Sequence, residues 1–244
     1  ADSNNCVWTR GRKIPRPFLI LQNVHVRQIS AGTEHALILD YSGLVYLLNP
    51  SYDDTLAFSY IDSTPTVVQI PCLSDIIGIS SGSRHNLCLS SEGRVYSFGE
   101  NIFGQLGIGL DRDSSKNPTP IDFPISGTRI VSIDCGGDFS VFYDSEDKVW
   151  MCGNNAFGQL AFGDIKNRSI PEISVALAGM KIFPGYDHIF AVDPENNLYV
   201  CGDSWYQGLQ NCTPVPGSSF GLFRVETDAK FYPAKSKVKS AMSY

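Results

Sequence analysis

The chain repeats itself at a period near 50 residues, and few folds tolerate that pattern in 244 residues. Val95-Tyr96-Ser97-Phe98-Gly99-Glu100-Asn101 matches Val149-Trp150-Met151-Cys152-Gly153-Asn154-Asn155 and Leu198-Tyr199-Val200-Cys201-Gly202-Asp203-Ser204. A second block lies upstream of each. Ile29-Ser30-Ala31-Gly32-Thr33-Glu34-His35 aligns with Ile79–His85, Ile133–Phe139 and Ile182–His188, each with a glycine at its centre. Between the two blocks run apolar residues, a turn and a further apolar run, as in Ala36-Leu37-Ile38-Leu39, Asp40-Tyr41-Ser42-Gly43, Leu44-Val45-Tyr46. That pattern reads as strand, tight turn, strand.

The chain therefore holds four copies of an all-β unit, at about 25–74, 75–128, 129–178 and 179–228. One copy leaves apolar faces that only a neighbour can cover. A radial array of small sheets covers them and keeps free edges short. The expectation is an all-β chain, a single β-propeller domain over 1–244. The ends predict a fifth, split blade. Ala229–Ala234 aligns with Met180–Gly185, and Cys6-Val7-Trp8 resembles the strand before Gly99 and Gly153. Residues 229–241 would pair with 5–21 and close the ring. A piece of a larger propeller is the alternative.

Composition agrees with a strand-rich globular chain: 43% hydrophobic and 18% charged residues, with 22 Gly and 14 Pro. No run of 18 apolar residues offers a membrane span, and no signal-peptide pattern opens the chain. It starts at Ala1, which leaves an earlier segment open. Seven cysteines form no C-x-x-C pair, which points to a reducing compartment, cytoplasm or nucleus. Net charge is −6, which argues against broad contact with nucleic acid. The charge is unevenly spread. Arg10, Arg12, Lys13 and Arg16 mark one end, and Lys230, Lys235, Lys237 and Lys239 the other. A closed ring would gather them into one basic sector, suited to a protein partner with an acidic docking segment.

The block Val-Tyr-Ser-Phe-Gly-x-Asn-x-x-Gly-Gln-Leu-Gly, ending in Phe103-Gly104-Gln105-Leu106-Gly107, returns as Phe157-Gly158-Gln159-Leu160-Ala161. It resembles the regulator of chromosome condensation family of β-propellers, most strongly over 75–109 and 130–163. The resemblance implies a non-enzymatic protein-interaction scaffold or regulatory subunit. It also implies two alternatives, guanine-nucleotide exchange on a small GTPase and chromatin association. The family is best known with seven blades, more than this sequence supplies.

No cofactor, metal or catalytic motif is expected. His35, His85 and His188 recur at one position per unit, with Phe139 in the remaining copy, so they read as structural. Gly104, Gln105, Gly158 and Gln159 read as loop-ordering residues. Three sets are candidates for partner binding. The first is the segment that breaks the repeat, with Tyr52, Asp53, Asp54, Phe58 and Tyr60. The second is the set just after the repeat glycines, Glu34, Arg84, Asp138 and Asp187, expected on one face of the ring. The third is the basic sector.

Overall fold

Each repeat alternates apolar runs with short turns, and the first three fold as antiparallel meanders. The computed structural model describes residues 6–11, 14–33, 35–48, 67–203, 212–214 and 222–225. Strands β1 (Val7–Gly11) and β2 (Ile14–Leu21) pair with each other as a two-stranded sheet. The first full blade comprises β3 (Val26–Ala31), β4 (Ala36–Asp40), β5 (Val45–Leu48) and β6 (Val67–Gln69). The second comprises β7 (Ile76–Ser81), β8 (His85–Ser90), β9 (Val95–Glu100) and β10 (Ser114–Pro120). The third comprises β11 (Ile130–Cys135), β12 (Phe139–Asp144), β13 (Val149–Gly153) and β14 (Arg168–Ile173). The fourth comprises β15 (Lys181–Pro184), β16 (His188–Val192), β17 (Leu198–Gly202), β18 (Cys212–Pro214) and β19 (Phe223–Val225). Strand order follows the chain in three blades and runs β15-β16-β17-β19-β18 in the fourth.

These are blades of a propeller, and the described strands do not close it into a ring. The 229–241 half of the predicted closing blade lies outside the described residues, as do Arg12, Lys13, Lys230, Lys235, Lys237 and Lys239. Arg10 and Arg16 lie in β1 and β2.

The apolar core lies in the seams between blades. In the first seam Leu37, Leu39 and Val45 meet Ile76, Ile79 and Cys88. In the second, Leu87, Leu89 and Val95 meet Ile133, Phe142 and Trp150. In the third, Val141, Val149 and Met151 meet Ile182, Ile189 and Ala191. The isoleucine three residues before each repeat glycine shows the logic. Ile79 and Ile182 are 2% exposed, whereas Ile29, with no described blade preceding its own, is 44% exposed.

In the first, third and fourth blades the tight turn is locked by an aspartate, and in the second Ser90 Oγ accepts Arg94 N at 3.1 Å. Asp40 Oδ1 accepts the N–H groups of Ser42 and Leu44, and Tyr46 donates to Oδ2. Asp144 holds Glu146, Lys148 and the Trp150 indole in the same way, and Asp193 holds Asn197 and Tyr199. Burial pushes these carboxyls up, but the donors outweigh it and hold all three below the usual carboxylate range.

Candidate functional site

The first two strands of a blade are joined at the same end where its third strand finishes, because His85 pairs with Gly99 and Phe139 with Gly153. Gly99, Gly153 and Gly202 close the third strands with φ of +119°, +107° and +114°. A Cβ there would strike the carbonyls of Arg84, Asp138 and Asp187, so a glycine is required on both counts. The next residue then donates its N–H to that carbonyl: Glu100 to Arg84 at 2.9 Å, Asn154 to Asp138 at 2.8 Å and Asp203 to Asp187 at 2.8 Å. Three consecutive blades thus present Arg84 with Glu100, Asp138 with Asn154, and Asp187 with Asp203, all on one face.

Negative charge on this face is under-compensated. Arg84 reaches Glu100 at 3.5 Å and is half exposed, so the pair is weak. Asp138 is pushed up to about 6, first by burial, then by Glu100 and Asp187, with Arg84 opposing. Asp187 is raised by burial and by Asp203, against His188. A cationic partner group would relieve all of these at once.

The loops after the third strands share the face and are stiffly built. Asn101 donates to the carbonyls of Gly109 and Arg112 and accepts from Leu106 N, while Gln105 Oε1 accepts from Phe103 N. Asn155 and Gln159 repeat this with Asp164, Leu160 and Phe157. Gly104 and Gly158 take φ of +83° and +77° in these loops. On this frame Ile102, Leu110, Phe157 and Ile165 stand exposed, and Tyr186, in the turn between β15 and β16, is 59% exposed. Asn101 and Asn155, each two residues after a repeat glycine, order these loops together with Gln105 and Gln159.

His35 and His85 sit in the seams, not on this face. His35 Nε2 bonds Asn86 Oδ1 at 2.8 Å, and His85 Nε2 bonds Ser140 Oγ at 3.0 Å. In each case the partner directly follows the matching position of the next blade. Where Phe139 replaces histidine, that partner position holds Ile189, and the two pack in one apolar cluster. Residue and partner change polarity together. Phe139→His is therefore expected to cost about 1–3 kcal/mol, because the imidazole meets Ile189. Adding Ile189→Ser should recover part of it, read as a coupling energy in a double-mutant unfolding cycle. His188 stacks edge-on with Phe190. Among the described residues no three His, Cys, Asp or Glu side chains gather as metal ligands, and no helix is long and apolar enough to cross a membrane. Glu34, Tyr52, Asp53, Asp54, Phe58 and Tyr60 lie outside the described residues.

Stacked four-stranded blades with a core in their seams define a β-propeller repeat protein. Residues 92–143 match the regulator of chromosome condensation (RCC1) repeat model, and a second model of the same description matches 76–105 and 130–159. The chain is a repeat protein of that family. It is 26% identical over 207 residues to the ultraviolet-B receptor UVR8 of Arabidopsis thaliana, covering 84% of this chain and 46% of the receptor. It is 30% identical over 218 residues to the human probable E3 ubiquitin-protein ligase HERC6, covering 84% of this chain and 21% of the ligase. Among solved structures, yeast RCC1 (Prp20) in a complex with Kap60 superposes with a TM-score of 0.70 at 19% identity, over 88% of this chain and 52% of the other. Human WBSCR16 gives 0.67 at 21% identity, over 88% and 57%. The chain thus spans about half the length of UVR8 and of these solved chains, and a fifth of the ligase.

Proposed function

We propose that this chain is a non-catalytic interaction module, a scaffold or regulatory subunit, that binds protein through the face carrying Glu100, Asp138, Asp187 and Asp203. The carrying observation is the pairing there of under-compensated carboxylates with exposed Phe157 on a stiff loop and exposed Tyr186 in the β15–β16 turn. Aromatic anchors supply contact area at little entropic cost, and the carboxylates select and steer a basic surface. Kinship to UVR8 and the HERC ligases supports a regulatory or interaction role. The free thiols fit a reducing compartment, cytosol or nucleus. The test is affinity capture with mass spectrometry, followed by association kinetics of the captured partner. Asp138→Lys with Asp187→Lys should slow association at least about tenfold and reverse its salt dependence, with the melting curve little changed. Unchanged kinetics would place binding elsewhere. The basic termini would then be the next candidates, with an acidic partner segment.

A second reading, guanine-nucleotide exchange, is favoured by one likeness. Prp20p of Saccharomyces cerevisiae, described with its binding to Gsp1p and histones, superposes with a TM-score of 0.68 at 20% identity. That likeness carries the fold alone. Release of fluorescent nucleotide from purified small GTPases tests it directly.

A further inference from the structure

Strands β3, β7, β11 and β15 are each the edge of their sheet, so their outward N–H groups need partners from outside the blade. Across the first seam, Ser30 Oγ accepts Ser81 N at 2.9 Å. Across the second, Ser80 Oγ accepts Cys135 N at 3.0 Å. Both acceptors stand two residues before a repeat glycine, and both donors stand one before the next. At the third seam these two positions hold Asp134 and Pro184. A carboxylate replaces the hydroxyl, and proline has no N–H to give it.

Other bonds across the third seam run elsewhere. Tyr143 Oη accepts Ile182 N at 3.0 Å and donates to Ile182 O at 3.2 Å, and Gly137 N donates to Tyr186 O at 2.9 Å and Gly185 O at 3.3 Å. Gly179 N donates to Asp147 O at 3.3 Å, and Cys201 Sγ to Gln159 O at 3.6 Å. Asp134 meets Lys181 from β15 as its one opposing charge. Its own charge acts on Tyr143 of β12 and on Cys135 beside it. On the other side, β7 carries no charged residue, and β8 carries His85, held neutral by burial, and Cys88.

We propose that the seam between the third and fourth blades is a proton-sensitive joint, held shut when Asp134 is protonated and loosened when it is ionised. A neutral carboxyl sits in the seam without demanding water. The carboxylate has lost the backbone donor that its place in the fold would have supplied, and opening the seam hydrates it. Burial lifts Asp134 to about 6, with Lys181 opposing, against an ordinary value of 3.8. A raised carboxyl stabilises the closed seam fully below 3.8, and that contribution is lost as pH rises through 6. If opening restores the ordinary value, the open fraction at pH 8 exceeds that at low pH by up to about 100-fold.

The experiment is residue-resolved amide exchange by NMR on the full chain between pH 5 and 8, corrected for intrinsic exchange. The amides of Ile182 and Gly137 report the third seam, and those of Ser81 and Thr33 the first. The wild-type third-seam reporters should open about ten times more at pH 8 than at pH 5. Asp134→Ser, which keeps every histidine, should flatten that response, and the first-seam reporters should behave alike in both proteins. An equal pH response in wild type and Asp134→Ser, or an equal rise at both seams of the wild type, would overturn the proposal. Should Asp134→Ser fail to fold, a carbon-13 titration of the Asp134 carboxyl in the wild type decides. A midpoint near 4 sinks the joint, and one near 6 sustains it.

Discussion

Gly82→Ala is expected to lower unfolding free energy by about 3 kcal/mol or more, read as a fall in the urea midpoint. The added methyl would overlap the imidazole of His85 and stand 2.6 Å from the carbonyl oxygen of Gly136 in the next blade. The ring cannot swing aside, because it is fully buried and bonded to Ser140 across the seam. Combining Gly82→Ala with His85→Ala should recover less than half the loss, since the backbone oxygen stays in place. Gly109 provides the contrast. It sits at φ +85° with nothing within 4 Å of its would-be Cβ, so Gly109→Ala should cost only about 1 kcal/mol. Equal costs at the two sites would show that backbone conformation, and not seam packing, sets the penalty.

Acid should loosen the other two seams, and His85 should dominate that loss. Its side chain is driven down to about 3, first by burial and then by His35, with a bond to the Phe139 backbone opposing. The unfolded chain binds this proton near 6.5 and the folded chain does not. Stability is therefore intact above pH 6.5 and drains away as pH falls from 6.5 toward 3, by roughly 5 kcal/mol in all. Subtracting the His85→Gln curve cancels the carboxylate contributions of Asp40, Asp144 and Asp193. The difference should be level above pH 6.5 and slope below it. A difference that stays level down to pH 4 would mean that the buried imidazole takes up its proton in place. Asp134 acts with the opposite sign, so the third seam tightens over the same range in which the first two weaken.

The hairpins of each blade were legible because local rules write them: alternating apolar residues, a turn aspartate or serine and, at the end of three of the third strands, a glycine where φ turns positive. The blocks around Gly99, Gly153 and Gly202 mark the third strands, and those around Gly82, Gly136 and Gly185 mark the first. What crosses the seams was harder to read. Asn86 and Ser140 are unremarkable polar residues until register sets them against His35 and His85, 51 and 55 residues away. The matched set Arg84, Asp138 and Asp187 could be placed on one face by alignment alone. Its charge balance could not, because Glu100 follows a different strand and reaches Asp138 only across a seam. Proline at 184 carried a signal of its own: an edge strand that spends proline where its siblings donate an N–H has given up a bond.

The histidine seams also bear on how such a chain is assembled from copies. A repeat unit carries two halves of different junctions, a residue that reaches forward and a receiver one place after the next blade's reaching residue. Asparagine receives in the second blade, serine in the third and isoleucine in the fourth. If the third blade were excised, His85 would be delivered to Ile189, a polar ring against a hydrocarbon wall. Exchanging the second and third blades would instead set His35 against Ser140 and Phe139 against Asn86, and His85 again against Ile189. The units share one architecture, yet their order is written into the joints, and gain or loss of a blade must bring a compatible neighbour with it.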